Sequence, residues 1–350
     1  MWLEMRKQLD DIYSALADQE SKEWFDARIK YMADGNADDF LYSIEKIRAR
    51  YKQEWRNPEI ERALSDKQGI VIYGCGHDGK ITKRNLQMAG YDILCWCDSD
   101  AKLHHQTVDG KNVISPEELS EKYSDCLVII GSSKYEREIR TRLWDVHFPV
   151  KNIFRFLWGQ GVNICGRQYF DVFHPLEKEV FVDAGAYNGD SIQEFISWVG
   201  NNDYKAYAIE LSENMCKVIK NKEIPNVEII NAGAWNQNED LIFSEALRSA
   251  AVSNVGGRVQ GRTIDSIVDG NEVTFIKMDI EGAEYNALVG AENTIRKYKP
   301  RLAVCIYHKR DDILKLGGVI LHLNPSYKFY IRHYTNCMWE TVLYAEQEKV

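Results

Sequence analysis

Short apolar runs alternate with helical patterns through the second half of this 350-residue chain. The runs predict strands at about five places: 180–183, 206–210, 227–231, 273–279 and 301–307. A helix with one buried face is predicted after the first run, from apolar residues at helical spacing: Ile192, Phe195, Ile196 and Val199. Strands that alternate with such helices predict a parallel α/β sheet that is covered on both faces.

The end of the chain has a different pattern. The segments YKFYIRHY (327–334) and ETVLYAE (340–346) are separated by only a short, mostly polar stretch. Two such segments predict a hairpin, with an antiparallel strand closing one edge of the sheet.

The first strand runs into a glycine-bearing turn, in EVFVDAGAYNGDS (179–191), where Asp183, Gly185 and Gly189 have the spacing D-x-G-x-x-x-G. Glycines let a ligand approach the backbone, and the helix that follows offers free N–H groups. The turn therefore predicts one edge of a nucleotide pocket. A P-loop is not predicted, because the Lys and Ser/Thr that grip phosphate are missing.

Acidic residues follow other strands of the predicted sheet. Glu210 ends the second strand, where doubly wound folds place a carboxylate that accepts the ribose hydroxyls. The fourth strand, VTFIKMDIEG, delivers Asp279 and Glu281 to its carboxyl end. Because open α/β sheets bind ligands at that edge, these residues are predicted to line one site.

From about residue 178 to 346 the chain resembles the FkbM-type S-adenosylmethionine-dependent methyltransferases. The resemblance rests on ordered blocks, of which KMDIEGAE is the most specific: FVDAGAYNGDS, AIELSENM, IINAGAW, RTIDSIV, FIKMDIEGAEYNALVGAENTI, PRLAVCIYHKRDDI, YKFYIRHY and ETVLYA. It implies a seven-stranded Rossmann-like methyltransferase fold and methyl transfer from S-adenosylmethionine to a hydroxyl, commonly on sugars or secondary metabolites.

The resemblance and the strand positions together assign expected roles to a cofactor set. The residues expected to hold the methionine end are Asp183, Gly185, Asn188 and Gly189, with Asp279 orienting the amine or a backbone turn. Glu210 is expected to hold the ribose, with Asn231 and Ala232 beside the adenine.

Three residues qualify by position as the acceptor of the hydroxyl proton: His308, Asp279 and Glu281. We favour His308, because an imidazole accepts a proton near neutral pH without a large change in pKa. Glu281 has the alternative role of capping the following helix, and Asp279 with Glu281 the alternative of holding Mg²⁺. Two carboxylates are too few ligands for us to predict a metal.

Residues 69–160 predict a second α/β unit, outside the resemblance to the methyltransferases. A strand is followed by Gly74, Gly76 and Gly79 in G-x-G-x-x-G, then a helix and a second strand that ends at Asp98. This is the context of a dinucleotide fingerprint, and the acid favours NAD over NADP. The stretch resembles small Rossmann-like domains attached to sugar-modifying enzymes. Two readings stay open: a pocket for NAD or a nucleotide sugar, and a scaffold whose glycines serve only the turn.

The first 68 residues predict two or three amphipathic helices, with a turn at 34–39 and a helix start at Asn57-Pro58. We see no chemistry in this segment, and expect a scaffold or a homo-oligomer contact. The predicted organisation is therefore a helical segment (1–68), a small Rossmann-like domain (69–160) and a Rossmann-like methyltransferase domain (161–350), an α/β fold throughout.

Composition limits the partners. A formal charge of −9 and a pI near 5.5 argue against a nucleic-acid substrate, which normally requires a basic face. No stretch is long and apolar enough for a membrane span, and the charged start MWLEMRKQLDD is unlike a signal peptide, so a cytoplasmic location is expected. Eight scattered cysteines indicate reduced core residues. Cys95 and Cys97 with His104 and His105 do not make a convincing zinc site.

The segment 244–262 is rich in Ser, Gly and Ala, and it predicts an irregular stretch that is either disordered or a lid. Ser249, Ser253 and Asn254 would then bind a sugar. The sequence as a whole predicts a cytoplasmic S-adenosylmethionine-dependent O-methyltransferase acting on a sugar or glycan precursor. The alternatives are an NAD-linked sugar-nucleotide enzyme and a non-catalytic nucleotide-sugar-binding protein.

Overall fold

The computed structural model describes residues 2–154, 164–200, 203–246, 249–252 and 256–347. The chain divides into two units. The first consists of Met1–Ile47, Arg167–Tyr334 and Met338–Val350, and the second of Arg48–Gly166 and Thr335–Cys337.

The strands are, in chain order, β1 (Ile70–Tyr73), β2 (Ile93–Cys97), β3 (Thr107–Val108), β4 (Lys111–Ile114), β5 (Leu127–Ile130), β6 (Ile153–Phe154), β7 (Lys178–Ala184), β8 (Asp203–Glu210), β9 (Val227–Asn231), β10 (Gly233–Ala234), β11 (Glu239–Ala246), β12 (Ser249–Val252), β13 (Gly257–Arg262), β14 (Phe275–Met278), β15 (Arg301–Cys305), β16 (Lys328–His333) and β17 (Thr341–Glu346).

The helices are α1 (Trp2–Ala15), α2 (Gln19–Asp34), α3 (Ala37–Tyr51), α4 (Pro58–Leu64), α5 (His77–Met88), α6 (Pro116–Lys122), α7 (Glu136–Asp145), α8 (Asp190–Val199), α9 (Glu213–Lys220), α10 (Ile264–Val268), α11 (Glu284–Val289), α12 (Glu292–Tyr298) and α13 (Asp312–Leu323), with a 3₁₀ turn at Val150–Asn152.

The first unit contains a sheet of seven strands among the described residues, in the order β16-β17-β15-β14-β7-β8-β9. Its strands are parallel except β17, which is antiparallel to both β15 and β16. The predicted α/β class, the parallel sheet and the antiparallel hairpin are therefore confirmed. Order and direction together bring the carboxyl ends of β7, β8, β14 and β15 to one edge.

The central strands are buried along their whole length, as expected for a sheet with both faces covered. Every residue of β14 and β15 is buried, although each strand carries one basic side chain. These two charges are paired: Lys277 with Asp183, and Arg301 with Glu179 at 2.5 Å. A buried charge is tolerated only with such a partner.

The N-terminal helices pack within the first unit. Asp18 caps α2 by accepting a hydrogen bond from the Ser21 amide at 2.8 Å. The neighbouring backbone pairs with β16: the Ala17 amide donates to Phe329 O at 2.8 Å, and Ser21 Oγ accepts from the Ile331 amide at 2.9 Å. These contacts cover the outer edge of β16, where an open strand would invite pairing with another chain. An oligomer contact through these helices stays a prediction.

The segment after β9 differs from the irregular stretch that its sequence predicted. Strands β11, β12 and β13 are antiparallel neighbours and join β10 in a four-stranded sheet within the described residues. The prediction that 244–262 is irregular is therefore wrong for the residues of this segment that the structure describes, because they pair as strands. Ser249 begins β12, whereas Ser253 and Asn254 lie outside the described residues.

The second unit has a sheet in the order β3-β4-β2-β1-β5-β6. All neighbours are parallel except β3 and β4, and α5 follows β1 directly after the glycine turn. In the part of the chain that the structure describes, no helix is both long enough and apolar enough to cross a membrane.

Candidate functional site

The glycine turn after β7 lies against the end of β14. Gly185 has φ +84°, and a Cβ placed on it would lie 1.9 Å from the carbonyl oxygen of Asp279. The Gly185 and Ala186 amides both donate to Ile209 O of β8, at 3.0 and 3.1 Å. Only glycine fits a position that combines this φ with so close a backbone approach. The turn is thereby fixed against two neighbouring strands.

Asp183 is fully buried, with 0% of its surface exposed. Its Oδ1 lies 2.9 Å from Lys277 Nζ, and its Oδ2 accepts a hydrogen bond from Ser191 Oγ. Lys277 Nζ also donates to Gly185 O at 2.7 Å. Burial opposes the charged form of Lys277, but Asp183 and Asp279 outweigh it and raise the Lys277 pKa above its ordinary value. This charge pair therefore stabilises the conformation of the glycine turn.

The remaining residues of the turn lead directly into α8. Gly189, with φ +81°, precedes the helix, and Asn188 Oδ1 accepts from the Asp190 amide at 3.0 Å. The Tyr187 amide donates to Glu210 Oε2 at 2.8 Å, which ties the turn to the end of β8.

Glu210 is buried at the end of β8, where the sequence predicted it. Its other oxygen, Oε1, accepts from the Ser212 amide at 2.8 Å, so each oxygen has one backbone donor and keeps a second lone pair. Burial raises the pKa of Glu210 above its ordinary value. The Asn231 amide group donates to the backbone oxygens of Glu210 and Leu211, at 3.0 and 2.8 Å. The Ala232 amide also donates to Glu210 O, at 3.1 Å. The structure therefore brings Glu210, Asn231 and Ala232 together.

Asp279 follows β14 and accepts from two tyrosines. Tyr169 OH donates to Oδ2 at 2.9 Å and Tyr307 OH to Oδ1 at 3.0 Å. Burial favours the neutral acid, but Lys277 and His308 outweigh it and lower the Asp279 pKa below its ordinary value. Asp279 is therefore an ionised carboxylate held in a fixed orientation.

His308 lies between carboxylates. Its Nδ1 is 3.0 Å from Glu284 Oε1, and its Nε2 is 3.4 Å from Asp279 Oδ1 and 3.8 Å from Glu281 Oε2. Burial favours the neutral ring, but Glu284, Asp279 and Glu281 outweigh it and raise the His308 pKa to about 9. At neutral pH the ring is therefore an imidazolium, which has no lone pair with which to accept a proton.

Glu340 joins this cluster, although the sequence analysis did not identify it. Its Oε2 accepts from Gln168 Nε2 at 2.5 Å, and its Oε1 lies 3.4 Å from the Tyr307 hydroxyl. It precedes β17 and lies 61 residues beyond Asp279 in the chain, in a stretch whose pattern predicted only a hairpin. No local signal marked it.

Backbone conformations around the site are unusual. Tyr169, Tyr187, Glu281 and Glu340 have φ values of +71°, +46°, +54° and +65°, in the left-handed region that side chains disfavour. Such residues concentrate at sites where surrounding contacts fix the geometry.

Two groups of side chains of the types that bind metal ions lie close together at this edge of the sheet. Asp279 with Cys305 and Glu340, and Asp279 with Glu284 and His308, each bring atoms within 4.8 Å of one another. Hydrogen bonds and ion pairs within the cluster already engage the carboxylates and the imidazole, so we assign no metal ion to either group.

The glycine turn of the second unit is tightly packed. A Cβ on Gly79 would lie 2.0 Å from Gly74 O, and Gly74 has φ +103°. Asp98 Oδ2 accepts from the Cys75 amide at 3.1 Å, so this acid is engaged by the turn itself. Gly76, in contrast, has open space around its Cβ position. Packing accounts for Gly74 and Gly79, and nucleotide binding at this turn stays a prediction.

Comparisons with known proteins match two parts of the chain. Residues 183–329 match the methyltransferase FkbM domain, and residues 66–154 match the family described as C2185-like, N-terminal. No curated protein matches the chain. The first match contains Asp183, Glu210, Asp279 and His308, so the edge described above lies in the region that matches this domain.

Three solved structures are among those that the chain is similar to. An FkbM methyltransferase from Methylobacillus flagellatus KT is 19% identical, with a TM-score of 0.47, over 93% of this chain and 99% of that one. An rRNA methylase from Streptococcus thermophilus is 14% identical, with a TM-score of 0.33, over 49% and 89%. Fibrillarin from Aeropyrum pernix, in complex with S-adenosyl-L-methionine, is 9% identical, with a TM-score of 0.32, over 48% and 67%.

Proposed function

We propose that this S-adenosylmethionine-dependent methyltransferase, whose FkbM domain spans residues 183–329, methylates a hydroxyl group of a sugar or a glycan precursor. One observation carries the proposal. The glycine turn, the ribose-type carboxylate Glu210 and the hydrogen-bonded Asp279 meet at one edge of the sheet, inside the matched domain.

The cofactor side of this edge fits an adenosylated ligand. Glu210 keeps one lone pair on each oxygen, which suits the two adjacent hydroxyls of a ribose. Asn231 and Ala232 lie beside it, at the expected position of the adenine. When bound, S-adenosylmethionine supplies an electrophilic methyl group on a sulfonium.

At the methionine end, the residues of the turn have different roles. Gly185, Asn188 and Gly189 shape the backbone that faces the ligand, whereas Asp183 has no exposed surface. We therefore assign Asp183 an indirect role: it holds Lys277, which in turn holds the carbonyl of Gly185.

The acceptor side is suited to a polyhydroxylated substrate. Asp279, Tyr307, Gln168 and Glu340 place carboxylate, hydroxyl and amide groups together, and such groups hydrogen-bond to sugar hydroxyls. Aromatic side chains that are close in sequence to residues of this site are exposed: Tyr187, Tyr285 and Trp339, with 39%, 48% and 57% of their surface exposed. Exposed aromatic rings offer apolar faces on which a sugar ring stacks.

His308 contributes charge in this proposal. As an imidazolium, it favours the ionised form of Asp279 and orients that carboxylate toward a hydroxyl. This differs from the role of base that the sequence suggested, because that role assumed an ordinary histidine pKa. Glu281 is partly exposed beside it and contributes negative charge.

The proposal is tested by incubating the protein with S-adenosylmethionine and a panel of methyl glycosides and nucleotide sugars. Release of S-adenosylhomocysteine identifies an acceptor, and mass spectrometry with NMR of the product locates the methyl group. We expect a methyl ether on a sugar oxygen. A product methylated on nitrogen or carbon would contradict the proposal, as would binding of S-adenosylmethionine with turnover on none of the sugars.

A further inference from the structure

Glu340 is held at the acceptor side by groups from two other parts of the first unit. Gln168, before β7, donates to its Oε2, and the hydroxyl of Tyr307, after β15, lies 3.4 Å from its Oε1. Its own backbone has φ +65°, and the Tyr334 amide donates to Glu340 O at 3.0 Å. These contacts fix a carboxyl group within the same cluster as Asp279, where one of its oxygens lies within 4.8 Å of one oxygen of Asp279.

Tyr307 connects the two carboxyl groups. Its hydroxyl lies 3.0 Å from Asp279 Oδ1 and 3.4 Å from Glu340 Oε1. A phenol has one proton to donate, so it cannot satisfy both carboxylates at once. The shorter contact goes to Asp279, and this leaves Glu340 as the carboxyl group that takes up or releases a proton.

We propose that Glu340 is the catalytic residue that accepts the proton of the acceptor hydroxyl, while Asp279 orients that hydroxyl. The proposal rests on the proposed methyl transfer to a hydroxyl. It replaces His308, which already carries a proton on both ring nitrogens at neutral pH.

The charges that face Glu340 make it a better base than Asp279. Asp279 lies near Lys277 and His308, and its lowered pKa makes it a weak base. Burial and the charge of Asp279 raise the Glu340 pKa to about 7, against the opposing effects of Gln168, His308 and Tyr307. The buried thiol of Cys305 also lies within this group, and its raised pKa keeps it neutral. A base whose pKa lies near the working pH transfers protons most effectively.

The reaction balances without a further reactant. The acceptor oxygen forms a bond to the methyl carbon, and the bond between sulfur and that carbon breaks. The electron pair of the broken bond stays on sulfur, which becomes the neutral thioether of S-adenosylhomocysteine. The hydroxyl proton moves to Glu340, and then to solvent.

The test compares the full chain with Glu340→Gln and with a matched control, Glu272→Gln. Gln keeps the shape of Glu340 and one acceptor oxygen but cannot accept a proton, and Glu272 is exposed before β14. Binding of S-adenosylmethionine is measured by calorimetry, and turnover by release of S-adenosylhomocysteine with the sugar panel. We expect Glu340→Gln to bind S-adenosylmethionine as the wild type does and to lose about 10²–10⁴-fold in kcat. Wild-type kcat/KM should rise with pH through about 7, and this rise should be absent from the variant.

A second measurement needs no acceptor. Infrared difference spectra recorded across pH should show a carboxyl group that titrates near neutral pH in the wild type and in Glu272→Gln, and that disappears in Glu340→Gln. Unchanged turnover in Glu340→Gln, or no such titrating carboxyl group in the wild type, would overturn the role of Glu340. Failure of the wild type itself to bind S-adenosylmethionine would instead contradict the proposed function.

Discussion

Individual side chains at the sheet edge act through the charges that surround them. The sequence identified Asp279 and His308 by position, but the state of His308 depends on Glu284, which the sequence analysis did not consider. The sequence around Lys277 also indicates a buried ion pair, because a lysine inside an apolar strand needs a buried partner. In the sheet its register partner is Asp183. Glu340 had no such signal, because only the folding of the hairpin brings it to Asp279.

At this scale, the buried pair makes a prediction about stability. Lys277→Met should lower the free energy of unfolding by about 3–5 kcal/mol, because Asp183 would remain charged and buried without its partner. Urea unfolding followed by circular dichroism measures this loss. The double variant with Asp183→Asn should recover part of it. The control Lys217→Met removes an exposed pair with Glu213 and should change little. Equal effects of the two lysine substitutions would contradict the structural role of the pair.

His308 makes a prediction about pH. Its pKa in the folded state, about 9, lies above the value near 6.5 expected in the unfolded chain. The ring therefore stabilises the fold fully below about pH 6.5, and this contribution is lost as pH rises through about 9. The difference in unfolding free energy between wild type and His308→Gln should reach roughly 3 kcal/mol near pH 6, where the neighbouring carboxylates are ionised, and shrink toward pH 10. A difference that does not vary with pH would show that the folded ring is not charged.

The elements were predicted with different success. Strands of the parallel sheet were clear, because continuous apolar runs flanked by helical patterns have few other readings. The segment 244–262 was missed, because small and polar residues in β12 and β13 resemble a loop until they pair with β11. Strand pairing over a distance is a tertiary effect that local composition does not report.

The turn after β7 provides a prediction at the scale of the element. Gly185→Ala should abolish binding of S-adenosylmethionine and destabilise the fold, since its Cβ would lie 1.9 Å from Asp279 O. The matched control is Gly270→Ala, which has φ +76° and nothing within 4 Å of its Cβ position. The control should lose only about 1–2 kcal/mol for the left-handed conformation and retain binding. Calorimetric titration and thermal unfolding of both variants decide this, and retained binding in Gly185→Ala would contradict the packing described.

The whole molecule has two units, each with its own sheet and its own glycine turn. The FkbM match lies within the first unit and the C2185-like match within the second. The sequence predicted the parallel sheet of each unit, but it could not decide whether the turn of the second unit binds a ligand, because the G-x-G-x-x-G spacing also serves close packing. In the structure, close backbone packing explains why glycine occupies the positions of Gly74 and Gly79.

A substitution at Gly76 tests which unit carries the chemistry. Gly76 has φ −73° and no atom within 4 Å of its Cβ position, so Gly76→Val should fold. We expect methyl transfer by this variant to equal that of the wild type, measured as release of S-adenosylhomocysteine. Loss of activity in a folded Gly76→Val, together with binding of NAD by the wild type, would favour the NAD-linked alternative.

The proposed cofactor pocket is tested by a calorimetric titration of the full chain with S-adenosylmethionine, run beside Glu210→Gln and the exposed control Glu213→Gln. We expect saturable binding by the wild type and by Glu213→Gln, and a large loss of affinity in Glu210→Gln, because we propose that Glu210, at the end of β8, accepts the ribose hydroxyls. Equal affinity in all three proteins, or no binding of S-adenosylmethionine while NAD binds, would contradict it.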